Sequence, residues 1–354
     1  MCDRHGTQAP TGPAKRALDR RSFLKAGTLG TIVMAVPAGM VGLPGSAHAA
    51  ATVKGTHGNG FCNVTFFITH ARQLAKEDGL TLEFVNTPSF AEQVTFLGTG
   101  QVDVSVLPYT NFMALYDAGA PVKIVAGGGV QGVYIVAQPG LDTPAKLKGK
   151  TLGTFQNDTL EVLPYDWLKK NGVAFKEVNV RYMGSTPEAV EAFKAGALDW
   201  ICTIEPYGTA LLNDVKGSHK LSDGRDIYGA GYTDCVLACR SNLISENPAG
   251  LKAIIKAMMK AQHMAETQQA ETLAKLVGTY YKTSMDNATL AMGKQPAVVD
   301  ARKQTDFILQ RTDSLIEMGY IKNKPGRDAI DWRLLEEVIA ENKELYAKLK
   351  YKAA

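Results

Sequence analysis

The sequence lacks the cysteine and histidine patterns that mark a metal site. Its 354 residues include five cysteines, yet no two of them form a Cys-x-x-Cys pair. The histidines beyond the first 50 residues do not have the spacing of metal ligands either: His57, His70, His219 and His263. These absences predict that the protein has no metal site, and no other motif predicts a cofactor.

The sequence also lacks a cysteine pair that could bridge along one strand. Cys235 and Cys239 are four residues apart in an apolar run typical of a strand, which separates them by roughly 13 Å. That distance is too long for a disulfide. We expect Cys62, Cys202, Cys235 and Cys239 to be buried core residues, with a disulfide as the alternative.

A long basic run is missing as well. The first 49 residues carry six of the 39 basic residues and two of the 35 acidic ones, so the rest of the chain is close to neutral. This balance predicts no nucleic-acid partner. The composition, 45% apolar and 21% charged, is that of an ordinary globular protein, and the length allows two domains.

What is present begins with an export signal. Residues 20–25 read Arg-Arg-Ser-Phe-Leu-Lys, an apolar run follows from Ala26 to about Val41, and residues 47–49 read Ala-His-Ala. A charged start, an apolar middle and a small-x-small site predict a secretory signal. The paired arginines resemble the twin-arginine class. We therefore expect residues 1–49 to be a twin-arginine signal peptide, cleaved near Ala49, and the protein to reach the periplasm.

Two later stretches share one pattern. Residues 96–110 and 193–208 each have a helical run ending in Gly, then an apolar residue and Asp, a β-branched run, and Pro-Tyr before another helical run. Glycine just past a helix suits a left-handed cap, and the apolar run suits a buried strand. The pattern predicts a helix–turn–strand–helix unit that occurs twice, and hence two similar lobes.

Short strands and helices alternate around both repeats, which indicates α/β lobes with largely parallel sheets. Val133–Ala137 reads as the last strand of the first lobe, and residues 141–150, rich in Pro and Gly turns, read as a boundary. The run Cys235–Cys239 could carry the chain back. From Asn247 onwards the spacing of apolar residues is helical almost to the end.

This order of parts resembles the solute-binding proteins of ABC importers. The nearest group is the nitrate, sulfonate and taurine family, also called NMT1/THI5-like or SsuA/ThiY-like. The resemblance rests on the signal, the Leu147–Lys150 linker, Gly196-x-x-Asp199 and the Glu205–Tyr207 motif. It implies an α/β, two-lobe periplasmic-binding-protein type II fold with a two-strand hinge and a helical C-terminal region. Lobe 1 would be residues 50–140 and 236–354, lobe 2 residues 141–235, and the hinge strands Val133–Ala137 and Val236–Arg240.

The resemblance also implies a function. The protein would be a monomer without enzyme activity that captures a small-molecule solute between its lobes and delivers it to an ABC permease in the inner membrane. Ligands of such sheets bind beyond the carboxyl ends of the strands, where predicted helix N-termini would also point. The candidate ligand-binding residues lie in those loops: Phe61, Cys62, Asn63, Ser89, Phe90, Tyr109, Thr110, Asn111, Gly128, Asn157, Asp158, Thr159, Glu205, Tyr207, Tyr232 and Asp234.

These loops contain aromatic residues and carboxylates but no Lys or Arg. Aromatic rings with a carboxylate suit a flat neutral or cationic nitrogen compound, such as a pyrimidine-like solute. The first alternative is a small sulfonate or nitrate-type anion, held by helix N-termini. The second is a THI5-like pyrimidine-synthesising enzyme, whose cysteine-rich signature is missing here apart from Cys62. The third is a signalling or structural protein that binds a partner and no solute.

Overall fold

The structure, a computed structural model, describes residues 51–87 and 89–352. Within these ranges the chain forms two five-stranded sheets with helices packed around them. None of the helices in these two ranges is long and apolar enough to cross a lipid bilayer. The expected signal segment lies outside the described residues, so the twin-arginine signal stays a prediction.

Ten strands occur in the described ranges. In chain order they are β1 (Ala51–His57), β2 (Leu80–Phe84), β3 (Val104–Pro108), β4 (Val122–Gly127), β5 (Val133–Ala137), β6 (Thr151–Thr154), β7 (Asn179–Tyr182), β8 (Trp200–Ile204), β9 (His219–Ser222) and β10 (Cys235–Arg240).

The α-helices of the first two thirds of the chain alternate with these strands. They are α1 (Val64–Ala71), α2 (Phe90–Thr99), α3 (Tyr109–Asp117), α4 (Thr159–Lys170), α5 (Thr186–Lys194), α6 (Tyr207–Asp214) and α7 (Arg225–Tyr228). The C-terminal region is helical, as predicted, and contains α8 (Ser241–Glu246), α9 (Pro248–Thr267), α10 (Gln269–Leu276), α11 (Met285–Ala291), α12 (Thr305–Gln310), α13 (Thr312–Glu317), α14 (Arg333–Glu341) and α15 (Lys343–Lys348).

The two sheets have the same topology. The strand order is β2-β1-β3-β10-β4 in the first and β7-β6-β8-β5-β9 in the second. In each sheet the first three strands are parallel, and the fourth lies antiparallel to its neighbour from the repeated unit. Two α/β lobes of this kind agree with the predicted fold class.

The repeated sequence pattern corresponds to a repeated structure. Gly100 after α2 and Gly196 after α5 both adopt positive φ angles, 79° and 74°, which a residue with a side chain would rarely tolerate. The aspartate three residues later accepts a hydrogen bond from the backbone N–H of the neighbouring strand in both lobes. Asp103 pairs with Lys54 and Asp199 with Thr151, each at 2.8 Å. The repeat prediction is therefore confirmed.

Strand β5 belongs to the second sheet and not, as predicted for Val133–Ala137, to the first. β5 pairs with β8 and β9 in the second sheet, whereas we expected Val133–Ala137 to complete the first lobe. The sequence marks it as buried, but burial does not say which sheet supplies its partner. The segments just before β5 and β10 run side by side, with a bridge between Val130 and Thr233 and a hydrogen bond from the Gln131 N–H to the Tyr232 carbonyl. We propose that these two segments form the hinge between the lobes.

Candidate functional site

A small cavity lies where the carboxyl ends of strands from both sheets meet. Ligands of open α/β sheets bind at such strand ends. From the first sheet the cavity is lined by the loop after β1, the first residue of α2, the end of β3 and the start of β10. From the second it is lined by the loop after β6, the first residue of α5 and the end of β8. The lining residues are Gly58, Asn59, Gly60, Cys62, Asn63, Phe90, Pro108, Phe155, Asp158, Leu160, Thr186, Ile204, Asp234 and Cys235.

The cavity is narrow, with a volume of about 30 Å³. A single water molecule needs roughly 10–15 Å³ of such space, so the two lobes close around room for only a few atoms. A second cavity of about 100 Å³ shares Gly58, Asn59, Phe90 and Thr186 with the first and adds Ser89. A larger ligand would require the lobes to separate.

Asp158 is the most informative polar residue of the cavity. It precedes α4 and caps that helix, since its Oδ1 accepts hydrogen bonds from the Leu160 N–H at 2.9 Å and the Thr159 hydroxyl at 3.1 Å. The side chain is only 3% exposed. Burial, with a smaller contribution from the charge of Asp234, raises the pKa of Asp158 to about 8.

Asp234 lies beside it on the hinge segment before β10 and is fully buried. Its Oδ1 accepts a hydrogen bond at 2.5 Å from the hydroxyl of Thr159, which belongs to the lobe of the second sheet. Its Oδ2 accepts one from the Gln295 amide at 3.1 Å. Burial raises the pKa of this carboxyl as well, although its hydrogen bonds oppose the shift. Two acids with raised pKa values therefore meet at one cavity.

Two cysteines complete this part of the wall. The sulfur atoms of Cys62 and Cys235 are 2.9 Å apart, and the Cys235 thiol donates a hydrogen bond to Asp234 Oδ2 at 3.2 Å. Burial raises the pKa of Cys62 to about 12. Burial likewise raises the pKa of Cys235, so both thiols are mostly protonated near neutral pH and only a small thiolate fraction is available to act as a nucleophile. As predicted, Cys62, Cys202, Cys235 and Cys239 are all buried.

Asn63 lies at the N-cap position of α1. A 3₁₀ turn occupies Phe61–Asn63, α1 then spans only Val64–Ala71, and the Asn63 side chain makes no cap hydrogen bond. Its amide instead donates to Cys62 Sγ at 3.2 Å. Its Oδ1 is buried without a hydrogen-bond partner among the described residues, which leaves an acceptor for a ligand's N–H or O–H group.

Two aromatic rings from different lobes approach each other at the cavity. Phe90 begins α2 and Phe155 follows β6; their ring centroids are 6.1 Å apart with the planes inclined by 58°. No Lys, Arg or His is among the described residues that line the cavity. The wall therefore combines apolar rings with hydrogen-bond acceptors and has no basic side chain.

Several predicted site residues lie near this cavity without lining it. Ser89 caps α2 by accepting a hydrogen bond from the Glu92 N–H, and it borders the second cavity. Thr159 bonds to both carboxylates. Gly128 donates its N–H to the Cys235 carbonyl at 3.0 Å. Asn157 has a φ of 58°, and its N–H donates to Glu161.

The tyrosines of the two Pro-Tyr motifs do not face the cavity. Tyr109 and Tyr207 are each 1% exposed and belong to the hydrophobic core, where Tyr109 packs edge-on against Phe307. Tyr207 Oη accepts a hydrogen bond from the Lys282 N–H. Each tyrosine is the first residue of a helix and packs into a hydrophobic core cluster, so the motif marks the loop but not the direction of its side chain.

The other predicted residues are also placed elsewhere. Glu205 accepts two hydrogen bonds from Thr209, and the Tyr232 hydroxyl donates to the Asp223 carbonyl. Phe61 packs edge-on against Tyr281. Thr110 and Asn111 are buried in α3, each with an oxygen that has no partner in the described part of the chain.

The sequence interpretation missed several lining residues. Phe155 directly follows β6 and Cys235 begins β10, so position at a strand end could have identified both. Ile204 and Pro108 end the two repeated strands. Gly58 and Gly60 lie in the Gly-rich loop after β1, where a Cβ at Gly60 would come within 2.8 Å of Ile204.

Comparison with known proteins agrees with this architecture. Residues 58–278, more than half of the chain, match the NMT1-like family. The chain belongs to the NMT1-like family. A Brucella abortus protein named as a binding protein is 26% identical over 212 residues, which make up 59% of this chain and 64% of that protein. This NMT1-like chain thus spans just under two thirds of the length of that curated relative.

Solved structures resemble this NMT1-like chain at low sequence identity and therefore support its fold. The periplasmic aliphatic sulphonate-binding protein SsuA of Escherichia coli has a TM-score of 0.67 and 18% identity, covering 80% of this chain and 92% of its own. The periplasmic nitrate-binding protein NrtA of Synechocystis has a TM-score of 0.70 and 15% identity, covering 86% and 92%. A ligand-binding component of an ABC-type import system from Staphylococcus aureus, solved with zinc bound, has a TM-score of 0.70 and 17% identity, covering 81% and 99%. The predicted SsuA-like, type II periplasmic-binding fold is confirmed.

Proposed function

We propose that this protein is the solute-binding component of an ABC importer. It captures a small solute between its lobes and presents the closed complex to a permease in the membrane. Family membership, the likeness to binding components of import systems and the cavity at the strand ends support this role. The relatives' location supports a periplasmic site of action, and we propose that the protein acts there as a monomer without catalysis.

The solute class is a small, flat nitrogen compound that carries N–H donors and a positive charge or gains one on binding. One observation carries this proposal: Asp158 and Asp234 meet in a cavity that is also lined by two phenylalanine rings, inclined to each other by 58°, and by no basic residue among those described. A cationic N–H group would favour the ionised form of Asp158, because a charge-assisted hydrogen bond would compensate for the solvation that the carboxylate loses on burial. Asn63 Oδ1 offers a second acceptor.

A sulfonate or nitrate-type anion is the second candidate. Two structural neighbours, a sulphonate-binding and a nitrate-binding protein, favour this candidate. The N-terminus of α5 at Thr186, which lines the cavity, favours it as well. The N-terminus of α4 opposes it, since the Asp158 carboxylate already occupies the position at which an anion would meet free N–H groups. An anion would also have to approach two buried acids without a basic side chain in the lining.

The THI5-like enzyme is disfavoured by the missing cysteine-rich signature and also by the surroundings of Cys62. The protonated Cys62 has Cys235, Asn63 and Asp234 as neighbours, and the structure records no hydrogen bond between it and a histidine base. A binding role without chemistry is the better description of this site.

Calorimetric titration can test the solute class with matched probes. Acetamidine and 4-aminopyrimidine represent the proposed class, while methanesulfonate and nitrate represent the anion alternative. We expect heat and a raised melting temperature with the first pair only. Asp158→Asn should abolish this preference, whereas Asp142→Asn, at an exposed residue paired with Lys146, should leave it intact. Tight binding of either anion would contradict the proposed class.

A further inference from the structure

The solute-binding role does not explain why Cys62 and Cys235 lie so close together at the cavity wall. Their sulfur atoms lie 2.9 Å apart, closer than two unbonded sulfur atoms prefer and within about 1 Å of a disulfide bond length. Both side chains are almost fully buried, and both line the cavity. They are 173 residues apart in sequence, so the fold and not the local chain brings them together.

Glycines hold the two cysteine backbones in place. A Cβ at Gly128 would lie 3.0 Å from the Cys62 carbonyl oxygen and 3.1 Å from that of Cys235, and one at Gly129 would lie 2.6 Å from Cys62 Cα. The Gly128 N–H also donates to the Cys235 carbonyl, and the Asp234 N–H donates to the Gly129 carbonyl. Larger residues at these two positions would push the cysteines apart, so their juxtaposition is built into the hinge.

We propose that Cys62 and Cys235 form a disulfide when the chain meets a disulfide oxidant in an oxidising compartment. In the first step one cysteine, as its thiolate, attacks the oxidant and forms a mixed disulfide. The second then attacks that bond, so that the S–S bond forms, the two thiols lose two protons and two electrons, and the oxidant's disulfide is reduced to two thiols. The inference rests on the exported location contained in the proposed function.

A disulfide fits the surroundings better than a metal ion does. The atoms of Cys62, Cys235 and Asp234 lie close enough to share an ion, but two thiolates on a tetrahedral zinc are about 3.8 Å apart, from Zn–S bonds of about 2.3 Å. Asp234 already accepts hydrogen bonds from Thr159, Gln295 and Cys235 on its two oxygens. A disulfide needs only the two sulfur atoms, whereas a tetrahedral zinc ion would need a fourth ligand besides Cys62, Asp234 and Cys235.

Oxidation would change the cavity as well as join the chain. It removes the Cys235 S–H that donates to Asp234 Oδ2, which leaves the Gln295 amide as the remaining donor to that oxygen in the described structure. Asp234 then has a free lone pair to offer an N–H group. We therefore expect the oxidised and reduced forms to bind acetamidine with different affinities, the oxidised form more tightly.

The test is to incubate the purified full chain with oxidised glutathione, alkylate the remaining thiols under denaturing conditions and map the peptides. We expect a peptide pair that joins Cys62 to Cys235, with the mass of two hydrogen atoms lost, and faster formation at higher pH because the thiolate is the nucleophile. Cys239→Ala should retain the link, and Cys62→Ala should lose it. The oxidised wild type should also melt at a higher temperature than the reduced form.

Two results would overturn the inference. One is full alkylation of both cysteines after prolonged oxidation, and the other is a metal that co-purifies with the chain and is lost in Cys235→Ala. Because the wild-type peptide map needs no variant, a misfolded variant does not decide the outcome. Solute binding by the reduced protein is measured separately, so a chain that binds solute but forms no disulfide contradicts this inference alone.

Discussion

Two sets of carboxylates lie at or beside helix α4, and their partners differ sharply. At its N-terminus, Asp158 lies with Asp234 in the cavity, and their partners are a backbone N–H, a threonine hydroxyl, an amide and a thiol. Further along the same helix, Glu161 and Asp166 face the C-terminal region. We call Asp158 and Asp234 the inner set and Glu161 and Asp166 the outer set.

The outer set is saturated by side chains from both lobes. Glu161 accepts hydrogen bonds from the Tyr320 hydroxyl at 2.7 Å, from the Tyr182 hydroxyl at 2.6 Å and from the Asn157 N–H. Asp166 accepts from the Ser314 and Tyr228 hydroxyls at 2.7 Å each. It also forms an ion pair with Arg311, which lies before α13. These contacts join the second sheet's helix to the C-terminal helices, so the outer set holds the lobes together.

We propose that the outer and inner sets perform two different tasks, closure of the lobes and selection of the solute. The outer acids have hydroxyl and guanidinium partners supplied by the protein, so they stabilise closure whatever the solute is. Burial raises the pKa of Glu161 as well as those of Asp158 and Asp234, but the two inner acids have no cationic partner at the described cavity wall. We propose that a ligand supplies that partner and that the inner set selects the solute. The following predictions can separate these tasks or show that they overlap.

The largest expected effect comes from neutralising the inner set. Asp158→Asn should weaken binding of acetamidine by about 10- to 100-fold, because hydrogen bonds to a charged group contribute about 1.5–3 kcal/mol. Titration calorimetry measures the change, with Asp142→Asn as the control. Equal affinities of Asp158→Asn and the wild type would remove the inner set from solute recognition.

The protonation of Asp158 predicts how stability depends on pH. Its pKa is about 8 in the folded chain and roughly 3.9 when unfolded, so folding favours the protonated form. This stabilisation is complete below pH about 4 and is lost as the pH rises through 8, by up to about 1.4 kcal/mol per pH unit. Urea unfolding of the unliganded protein from pH 5 to 8 should follow this slope, and Asp158→Asn should flatten it. A slope of opposite sign would contradict the raised pKa.

Binding of a cation should have the opposite pH dependence. Acetamidinium needs Asp158 ionised, so its affinity should rise by up to tenfold per pH unit below 8 and level off above that value. An affinity that does not change between pH 6 and 8 would mean that the solute does not contact this carboxyl.

A smaller and less selective effect should follow from changing the outer set. Tyr320→Phe removes one hydroxyl from Glu161 but leaves its bonds to Tyr182 and Asn157, at a cost of about 1 kcal/mol. Affinity should fall about fivefold for every solute to a similar extent, because the closed form is destabilised. A loss confined to cationic solutes would show that the two tasks overlap.

The smallest effect should come from an exposed contact of the same helix. Tyr165→Phe removes a hydroxyl that donates to Glu317, whose side chain is 43% exposed and also pairs with Lys169. Exposed pairs contribute about 0–1 kcal/mol, so affinity should change by less than the roughly fivefold expected for Tyr320→Phe. A larger change would extend the outer set to this residue.

The sequence was sufficient for the architecture because repeated local signals agree with each other. The glycine caps at Gly100 and Gly196 and the aspartates that follow them define the two lobes from local backbone chemistry. The placement of β5 in the second sheet could not be predicted. Its apolar sequence indicates that the strand is buried but not which strand it pairs with.

The candidate site could be predicted in part. Asp158, Asp234, Cys62, Asn63 and Phe90 line the cavity because loops at strand ends converge there, which the α/β pattern indicates. The Pro-Tyr tyrosines do not line it, because the direction of a side chain at the start of a helix depends on what the helix packs against. Glu205 does not line it either, because its carboxylate accepts hydrogen bonds from Thr209. The proximity of Cys62 to Cys235 joins distant segments and has no signal in a single sequence.

The central claim is that the inner acids select a nitrogen-containing cation or hydrogen-bond donor. Native mass spectrometry of the protein as purified, followed by denaturation and identification of whatever is released, tests this most directly. We expect a small amine, amidine or aminopyrimidine-type compound in one-to-one ratio, retained by the wild type and lost from Asp158→Asn. Release of a sulfonate, nitrate or another anion from the wild type would contradict the claim.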